Sequence, residues 1–191
     1  MHIRDERPED ASRIAAITDA AFAPRVYDAA TLAKIAEMRR EAGISQHDID
    51  QSASSLSEAQ IIDALRSDSA LSLSLVGEVD GEIVSYIAFS QVKIGNVQSG
   101  WFGLGPVSVR PDLQGQGFGS ALIREGLSRL KSLGAAGCVL LGSPLYYSRF
   151  GFEPYAKLTY HGQLNSALQA LLFSGTIPTG DVVYHPAFDM G

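Results

Sequence analysis

Three glycines lie at alternate positions, 115, 117 and 119, where a strand-like stretch gives way to a predicted helix. Glycine lets backbone N–H groups approach a ligand because no Cβ stands in the way. A helix start leaves about four N–H groups without partners and carries a partial positive charge. The run therefore predicts a cradle for an anion, and phosphate or pyrophosphate fits it best.

Two well-known phosphate-binding loops match this run poorly. A P-loop requires Gly-Lys followed by Ser or Thr, and the chain contains no Gly-Lys pair. A dinucleotide fingerprint requires Gly-x-Gly-x-x-Gly and a later acidic residue for the ribose. Here Ser120 stands in the place of the third glycine, and no Asp or Glu occurs at 135–140. ATP and NAD are therefore weak candidates for the ligand.

The spacing Gln114-x-x-Gly117-x-Gly119 resembles the pyrophosphate loop of the GNAT superfamily of acetyl-CoA-dependent N-acetyltransferases. Two flanking motifs strengthen the resemblance in the same order: Leu-Gly-Pro at 104–106, and the Tyr-x-x-x-Gly-Phe segment that ends at 152. With the late motif at 183–188, the chain resembles a bacterial branch of predicted, uncharacterised members. The resemblance covers most of 1–27 and 56–188 and leaves the substrate open.

The periodicity of the chain indicates an α/β fold. We expect helices at 9–22, 31–41, 57–67, 117–133 and 144–147, with a weak helical stretch at 164–173. We expect strands at 1–4, 71–79, 82–94, 101–109 and 137–142, and further strands within 151–162 and 181–185. Two local signals support this assignment: Asp80-Gly81 predicts a hairpin turn, and Ser57 with Gln60 predicts a capping box.

The resemblance adds an architecture to these elements. It implies a mixed, mostly antiparallel central sheet flanked by helices, with a V-shaped splay after the strand that contains Gly105-Pro106. The 191 residues predict one acetyltransferase-like domain, 1–191, with a helical insertion at about 28–56 and a strand/helix extension at about 155–191. The insertion is interpreted either as a surface segment with a mobile linker or as a lid over the acceptor pocket.

The resemblance also implies a binding site for acetyl-CoA as co-substrate. Backbone N–H groups of 115–120 would hold the pyrophosphate, Gln114 would open the loop, and the Ser120 hydroxyl can add a donor. The strand at 107–109 would pair with the pantetheine arm through its main chain, while its two valine side chains pack in the core. The implied cofactor-binding residues are Val107, Ser108, Val109, Gln114, Gly115, Gln116, Gly117, Phe118, Gly119 and Ser120.

The resemblance implies two further roles in acetyl transfer. A bulge at Gly105-Pro106 would point the Val107 N–H at the thioester carbonyl. Tyr147 matches the family tyrosine and, with a reference pKa of about 10, can give a proton to the departing thiolate. Tyr146 is expected to pack. Leu140 stands where many relatives carry an Asn that contacts pantetheine.

No general base is assigned from the sequence. Glu78 and Glu82 flank the predicted hairpin and are expected to be solvated. Tyr86 and Ser143 can act only through water, and an amine can also lose its proton to a water chain.

Composition sets limits on other functions. A net charge of −6 argues against nucleic-acid binding and suits a cationic or amine-bearing substrate. The chain has no apolar run of about 18 residues, and its charged start lacks the apolar core of a signal peptide, so we expect a cytoplasmic protein away from membranes. The four histidines lack metal-ligand spacing, which predicts no metal site. The single cysteine, Cys138, is expected to be a buried small hydrophobe.

Two functions fit these observations. The first is an N-acetyltransferase that moves an acetyl group from acetyl-CoA directly to a primary amine, on a small molecule or a peptide. The alternative is an acyl-CoA-binding sensor or regulatory module without catalysis. The late strand at 181–185 can pair between subunits, which makes a homodimer an expected assembly.

Overall fold

The computed structural model describes residues 1–23, 29–41 and 56–188. Its helices are α1 (Ala11–Phe22), α2 (Ala29–Glu41), α3 (Glu58–Ser67), α4 (Phe118–Ser132) and α5 (Pro144–Tyr147). Its strands are β1 (His2–Asp5), β2 (Leu71–Val79), β3 (Glu82–Ile94), β4 (Val97–Val109), β5 (Gly137–Leu141), β6 (Leu158–Thr159), β7 (Leu168–Leu172) and β8 (Gly180–Val183). None of the described helices combines the length and the apolar character that crossing a bilayer requires.

One sheet organises the described residues. Its main path runs β1-β2-β3-β4-β5-β7, and every neighbouring pair on that path is antiparallel except the parallel pair β4–β5. Helix α4 packs on one face through buried residues that include Leu122, Ile123 and Leu130, while Ile14 and Ile17 of α1 and Ile62 of α3 belong to a separate core cluster with β2 and β3. The predicted mixed, mostly antiparallel sheet flanked by helices is confirmed.

Local signals in the sequence set several of these elements. Strands β2 and β3 have the predicted bounds, and Asp80 and Gly81 turn between them with φ of 51° and 80°. Ser57 caps α3 by accepting a hydrogen bond from the Gln60 N–H, and the Gln60 side chain returns to the Ser57 N–H. The helix predicted at 31–41 is α2. The rest of the predicted insertion, 42–55, lies outside the described residues, as does 24–28.

The helix predicted at 164–173 is wrong, because this segment contains β7. Residues 168–172 pair antiparallel with β5, from Gly137 opposite Leu172 to Leu141 opposite Leu168. Leu168 and Ala170 are buried in one core cluster, and the buried Gln169 amide donates to the Gly142 carbonyl at 2.9 Å. Pairing with a buried strand therefore outweighs the helix propensity of the Leu- and Ala-rich sequence.

The last strands are shorter than predicted. Within 151–162 the structure has β6 and two isolated bridges, Glu153 with Ala170 and Tyr160 with Gln163. Strand β8 pairs with β3 through Val182 and Val183 and with β6 through Gly180 and Asp181. The strand that suggested pairing between subunits thus pairs with strands of its own chain.

Strands β4 and β5 pair over only three residues and then separate. The parallel pairs run from Trp101 opposite Gly137 to Gly103 opposite Val139. Farther along, β4 pairs only with β3. Leu104 pairs with Phe89 and Val107 with Ile87, so β4 has two residues between these pairs where β3 has one. Gly105 and Pro106 form this bulge, and Gly105 has a φ of 145°, which favours glycine. The bulge lies where the predicted splay between the strands opens.

Candidate functional site

A cavity of about 470 Å³ lies between the end of β4 and the start of α4, and we call it the loop cavity. Its walls come from the tip of α1, the glycine loop and the segment around α5. The lining residues are Ala21, Phe22, Val107, Val109, Leu113, Gln114, Gly115, Gly117, Phe118, Gly119, Ser120, Tyr146, Tyr147 and Arg149. The predicted anion cradle therefore borders a ligand-sized space.

The conformation of the loop explains two of its glycines. Gly115 has a φ of 77°, and Gly117, the N-cap of α4, has a φ of 92°, a region that other residues rarely adopt. A Cβ at either position would meet no atom within 4 Å. Open space therefore lies beside this backbone, next to the unpaired N–H groups at the start of α4.

Gly119 has a different role, because it permits a close approach. A Cβ at this position would lie 3.3 Å from Cγ2 of Val109 and 3.6 Å from the Tyr146 hydroxyl. The first turn of α4 thus packs closely against β4 and Tyr146. A larger side chain at 119 would displace these neighbours or enter the cavity.

Tyr146 does more than pack. Its ring contacts Tyr147 edge-on, with centroids 5.0 Å apart, as the prediction of packing requires. Its hydroxyl lies 3.5 Å from the Ser120 hydroxyl at the helix start. The guanidinium of Arg149 lies 4.8 Å from the centre of the same ring. Arg149 is the only charged residue among the described residues that line the loop cavity.

The sequence analysis did not single out Arg149. The available signal was its place within the Tyr-Tyr-Ser-Arg-Phe-Gly-Phe run, next to a loop already interpreted as an anion site. A cation at the rim of a helix start adds to the attraction of that site for phosphate.

Eight of the ten predicted cofactor-binding residues line the loop cavity, and the side chains of Ser108 and Gln116 do not. Ser108 is buried, with its hydroxyl 2.9 Å from that of Thr18 in α1. The exposed Gln116 amide donates to the Asp112 carbonyl at 3.2 Å. Gln114 closes the loop onto the strand, since its amide donates to the Val109 carbonyl at 3.0 Å.

The valines of β4 were expected to pack in the core. Both are partly buried and line the loop cavity, and Val107 also packs against the core cluster that contains α4. Alternation along the strand places Ser108 on the opposite face, where it is buried. The hydroxyl of Thr18 in α1 satisfies Ser108 there, so a polar residue is tolerated.

A second cavity of about 330 Å³ borders the bulge of β4 and the end of β5, and we call it the splay cavity. Its described lining is largely aromatic and aliphatic: Phe22, Leu56, Glu58, Ile61, Leu104, Gly105, Pro106, Val107, Leu141, Tyr147, Tyr160, Tyr184 and Phe188. Phe22, Val107 and Tyr147 line both cavities. The two spaces therefore meet at the β4 bulge.

Tyr147 stands at this junction. Its ring packs against Gly142, Tyr146 and Phe152, so its position is fixed. Burial, reinforced by Tyr146 and Cys138, raises the pKa of its phenol to about 12. Its hydroxyl makes no hydrogen bond to another residue that the structure describes. The group is neutral at physiological pH and available as a donor.

The other ionisable groups considered from the sequence lie outside both linings. Glu78 pairs with Arg4 at 2.6 Å, and Glu82 pairs with Arg110 at 3.0 Å. Tyr86 is fully buried and donates to Glu6 at 3.1 Å. None of these three lines either cavity, so none is positioned to take a proton there.

Cys138 is fully buried, as expected, and burial raises the pKa of its thiol far above the ordinary value. It therefore lacks the thiolate character of a nucleophile. Within the described ranges, no three His, Cys, Asp or Glu side chains are grouped closely enough to hold a metal ion.

Comparison with known families and curated proteins gives a consistent result. A family model described as an acetyltransferase (GNAT) domain matches residues 71–154. The uncharacterized N-acetyltransferase YhbS of Escherichia coli K12 is 42% identical over 97 residues, which are 50% of this chain and 58% of that protein. YjhQ from the same organism, also an uncharacterized N-acetyltransferase, is 36% identical over 103 residues, which are 52% of this chain and 57% of that protein. The matched region spans a little over half the length of these curated relatives.

Two solved structures match nearly the whole chain. A GNAT family acetyltransferase from Brucella melitensis, in complex with acetyl-CoA, is 45% identical, with 98% of this chain and 97% of that chain covered and a TM-score of 0.73. YhbS from Escherichia coli, in complex with CoA, is 32% identical, with 98% of this chain and 91% of that chain covered and a TM-score of 0.76.

Proposed function

This chain belongs to the GNAT family of acetyltransferases, and on that premise we propose that it transfers the acetyl group of acetyl-CoA directly to a primary amine. One observation carries the proposal: a cavity beside a glycine loop and a largely apolar cavity meet at Val107 and Tyr147. The first has the features of a phosphate-bearing donor site. The second has room for an acceptor. The proposal assigns both cavities to one domain that spans 1–191.

The loop cavity would hold the donor. Backbone N–H groups of the loop and of the first turn of α4 would bind the pyrophosphate, and Ser120 and Tyr146 offer hydroxyl donors near it. Arg149 supplies the positive charge. The relatives crystallised with acetyl-CoA and with CoA support this assignment. The pantetheine arm would then follow β4 toward the bulge, where the two cavities meet.

The bulge would position the thioester. In the proposal, the Val107 N–H donates to the carbonyl oxygen and stabilises the negative charge that develops there when the amine attacks. Val107 lines both cavities and follows Gly105-Pro106 in the irregular part of the β3–β4 ladder. Both features support this assignment.

Tyr147 would complete the reaction. The amine nitrogen bonds to the carbonyl carbon, the C–S bond breaks, and its electron pair goes to sulfur. Tyr147 gives its hydroxyl proton to that sulfur, and the proton lost by the amine reaches solvent, from which Tyr147 is reprotonated. Burial raises the pKa of the phenol, so the group keeps its proton at neutral pH until the thiolate takes it. No residue is assigned as the base.

A binding measurement followed by a turnover measurement tests the proposal. Calorimetric titration should show selective binding of acetyl-CoA, with ATP and NAD as controls. Release of the CoA thiol across a panel of amines should then show turnover. Failure to bind acetyl-CoA would overturn the proposal. Binding without turnover of any amine would favour the acyl-CoA-binding module instead.

A further inference from the structure

The splay cavity contains one charged residue among the described residues that line it. That residue is Glu58, and the other twelve are aromatic, aliphatic, proline or glycine residues. A carboxylate in such surroundings favours a cationic ligand, because a nearby opposite charge compensates the loss of solvation. The charge of this cavity is therefore opposite to that of the loop cavity, where Arg149 is the charged residue.

The position of Glu58 is fixed by the fold. It is the first residue of α3, directly after the Ser57 cap. The buried face of this helix is held by Ile62 against α1 and by Ile61 and Leu65, which pack with Ala187. A shift of Glu58 relative to the cavity would disturb this packing.

Glu58 also differs from the acidic residues nearby. Glu6 is paired with Arg66 at 2.7 Å, and Asp63, on the same helix as Glu58, is paired with the same arginine. No ion pair to Glu58 occurs within the described part of the chain. Its charge is thus available to a ligand.

The aromatic walls suit the same ligand. Phe22, Tyr147, Tyr160, Tyr184 and Phe188 line the cavity. Aromatic faces bind apolar groups and also attract ammonium ions. The cavity volume of about 330 Å³ lies at the lower end of the range for small-molecule sites.

We propose that the acceptor is a small monoamine on an aromatic or branched aliphatic body, bound as its ammonium form against Glu58, and that it gives one proton to solvent before the neutral nitrogen attacks. The proposal rests on the proposed function and names its substrate class. One carboxylate matches one ammonium, which disfavours polyamines. A free α-amino acid is disfavoured as well, because its own carboxylate would lie near that of Glu58.

A matched pair of ligands tests the charge requirement without any turnover. 2-Phenylethylamine and 2-phenylethanol have similar size and shape, and only the amine is a cation at neutral pH. Calorimetry should show about tenfold tighter binding of the amine, as expected for one partly buried charge pair. Titrations are run on the free protein and on the protein saturated with CoA.

Variants assign the preference to Glu58. Glu58→Gln should bind the amine and the alcohol about equally, while Glu58→Asp, which retains the charge, should keep the preference. Glu9→Gln is the control, since Glu9 is an exposed acid that also lies in a first helical turn and lines neither cavity. Equal binding of the two ligands by the unaltered protein would overturn the proposal, as would a preference that persists in Glu58→Gln.

Turnover then separates this proposal from the function on which it rests. The value of kcat/KM for 2-phenylethylamine should exceed those for spermidine and phenylalanine by about tenfold or more. If CoA binds and the amine shows no preference, the substrate class is wrong and the function stands. If CoA does not bind but the amine preference depends on Glu58, the function is wrong and the cavity assignment stands.

Discussion

The loop cavity and the splay cavity share a boundary but are formed by different parts of the chain. The loop cavity is formed mainly by one continuous stretch, 107–120, which includes the three glycines of the loop. The splay cavity is formed by side chains from α1, α3, β4, β5 and the C-terminal segments. One contains a cation at its rim and the other an anion.

This difference explains why relatives support an assignment of the donor site but not one of the acceptor site. A backbone cradle can bind the same phosphate group whatever side chains surround it, because N–H groups and a helix start provide the contacts. A cavity made of side chains changes its ligand with each substitution. The donor is therefore the part that comparison with relatives supports, and the acceptor must be inferred from Glu58 and the aromatic walls.

The largest effect is expected from the loss of the Tyr147 hydroxyl, at the junction of the two cavities. Replacing Tyr147 by Phe should lower kcat about 100-fold or more, the usual contribution of a general acid. The affinity for acetyl-CoA should change little, since the ring remains. Stopped-flow or steady-state thiol release measures kcat, and calorimetry measures binding. Tyr146→Phe is the control and should leave kcat largely intact.

The pH dependence sharpens the same test. Because the pKa of Tyr147 is raised to about 12, its acid form persists well above pH 10, and kcat should show no alkaline decline due to this group up to pH 10. A decline centred below pH 10 that disappears in Tyr147→Phe would contradict the assignment.

The next largest effect is expected from a larger side chain at 119, which lines the loop cavity and not the splay cavity. Gly119→Val places methyl groups where even a Cβ would lie 3.3 Å from Val109. The valine would displace this neighbour or enter the cavity, so acetyl-CoA should bind at least about 10-fold more weakly, a loss of about 1.4 kcal/mol or more. Calorimetry measures this loss. Ser132→Val, at the exposed far end of the same helix, should bind normally, and unchanged binding by Gly119→Val would place the donor elsewhere.

A smaller effect tests the charge of the loop cavity. Arg149→Gln should weaken acetyl-CoA binding about fivefold, and the difference should shrink as salt is added, because Arg149 is exposed. Arg124→Gln is a matched control: its guanidinium also covers a ring, that of Phe150 at 5.2 Å, but it does not line the cavity. Equal losses in the two variants would show a general charge effect rather than a local contact.

The smallest effect on binding is expected at Ser108, which lies between two cavity residues but on the opposite face of β4. Ser108→Ala leaves the buried Thr18 hydroxyl unpaired, which should lower the free energy of unfolding by about 1–3 kcal/mol. Urea unfolding measures this change, with Ser132→Ala as control. The affinity for acetyl-CoA should stay within about twofold, since the Ser108 main chain is unchanged. A large loss of affinity would instead place the Ser108 side chain in the site.

Where the physical signal is local, the sequence predicts the structure well. Asp80-Gly81 determines a turn without reference to the rest of the chain, and Ser57 with Gln60 marks a helix start by itself. The loop of the first cavity belongs to this class, because its glycines at 115 and 117 are required by their own backbone angles.

Where the signal depends on distant partners, prediction from sequence fails. The segment 168–172 has the composition of a helix and becomes a strand because β5 lies beside it. The buried hydrogen bond of Ser108 escapes prediction because its partner, Thr18, is ninety residues away in α1. The sequence does not single out Glu58, since no local pattern shows that its helix borders the splay cavity.

The central claim is that the two cavities form one reaction centre. A bisubstrate conjugate, in which CoA is joined through an acetyl spacer on its sulfur to 2-phenylethylamine, tests it directly by calorimetry. The account predicts binding about 100-fold or more tighter than acetyl-CoA, because the linked arms occupy both cavities at once. It also predicts that Gly119→Val weakens this binding. A conjugate that binds no better than acetyl-CoA would show that the second arm finds no site, and would contradict the account.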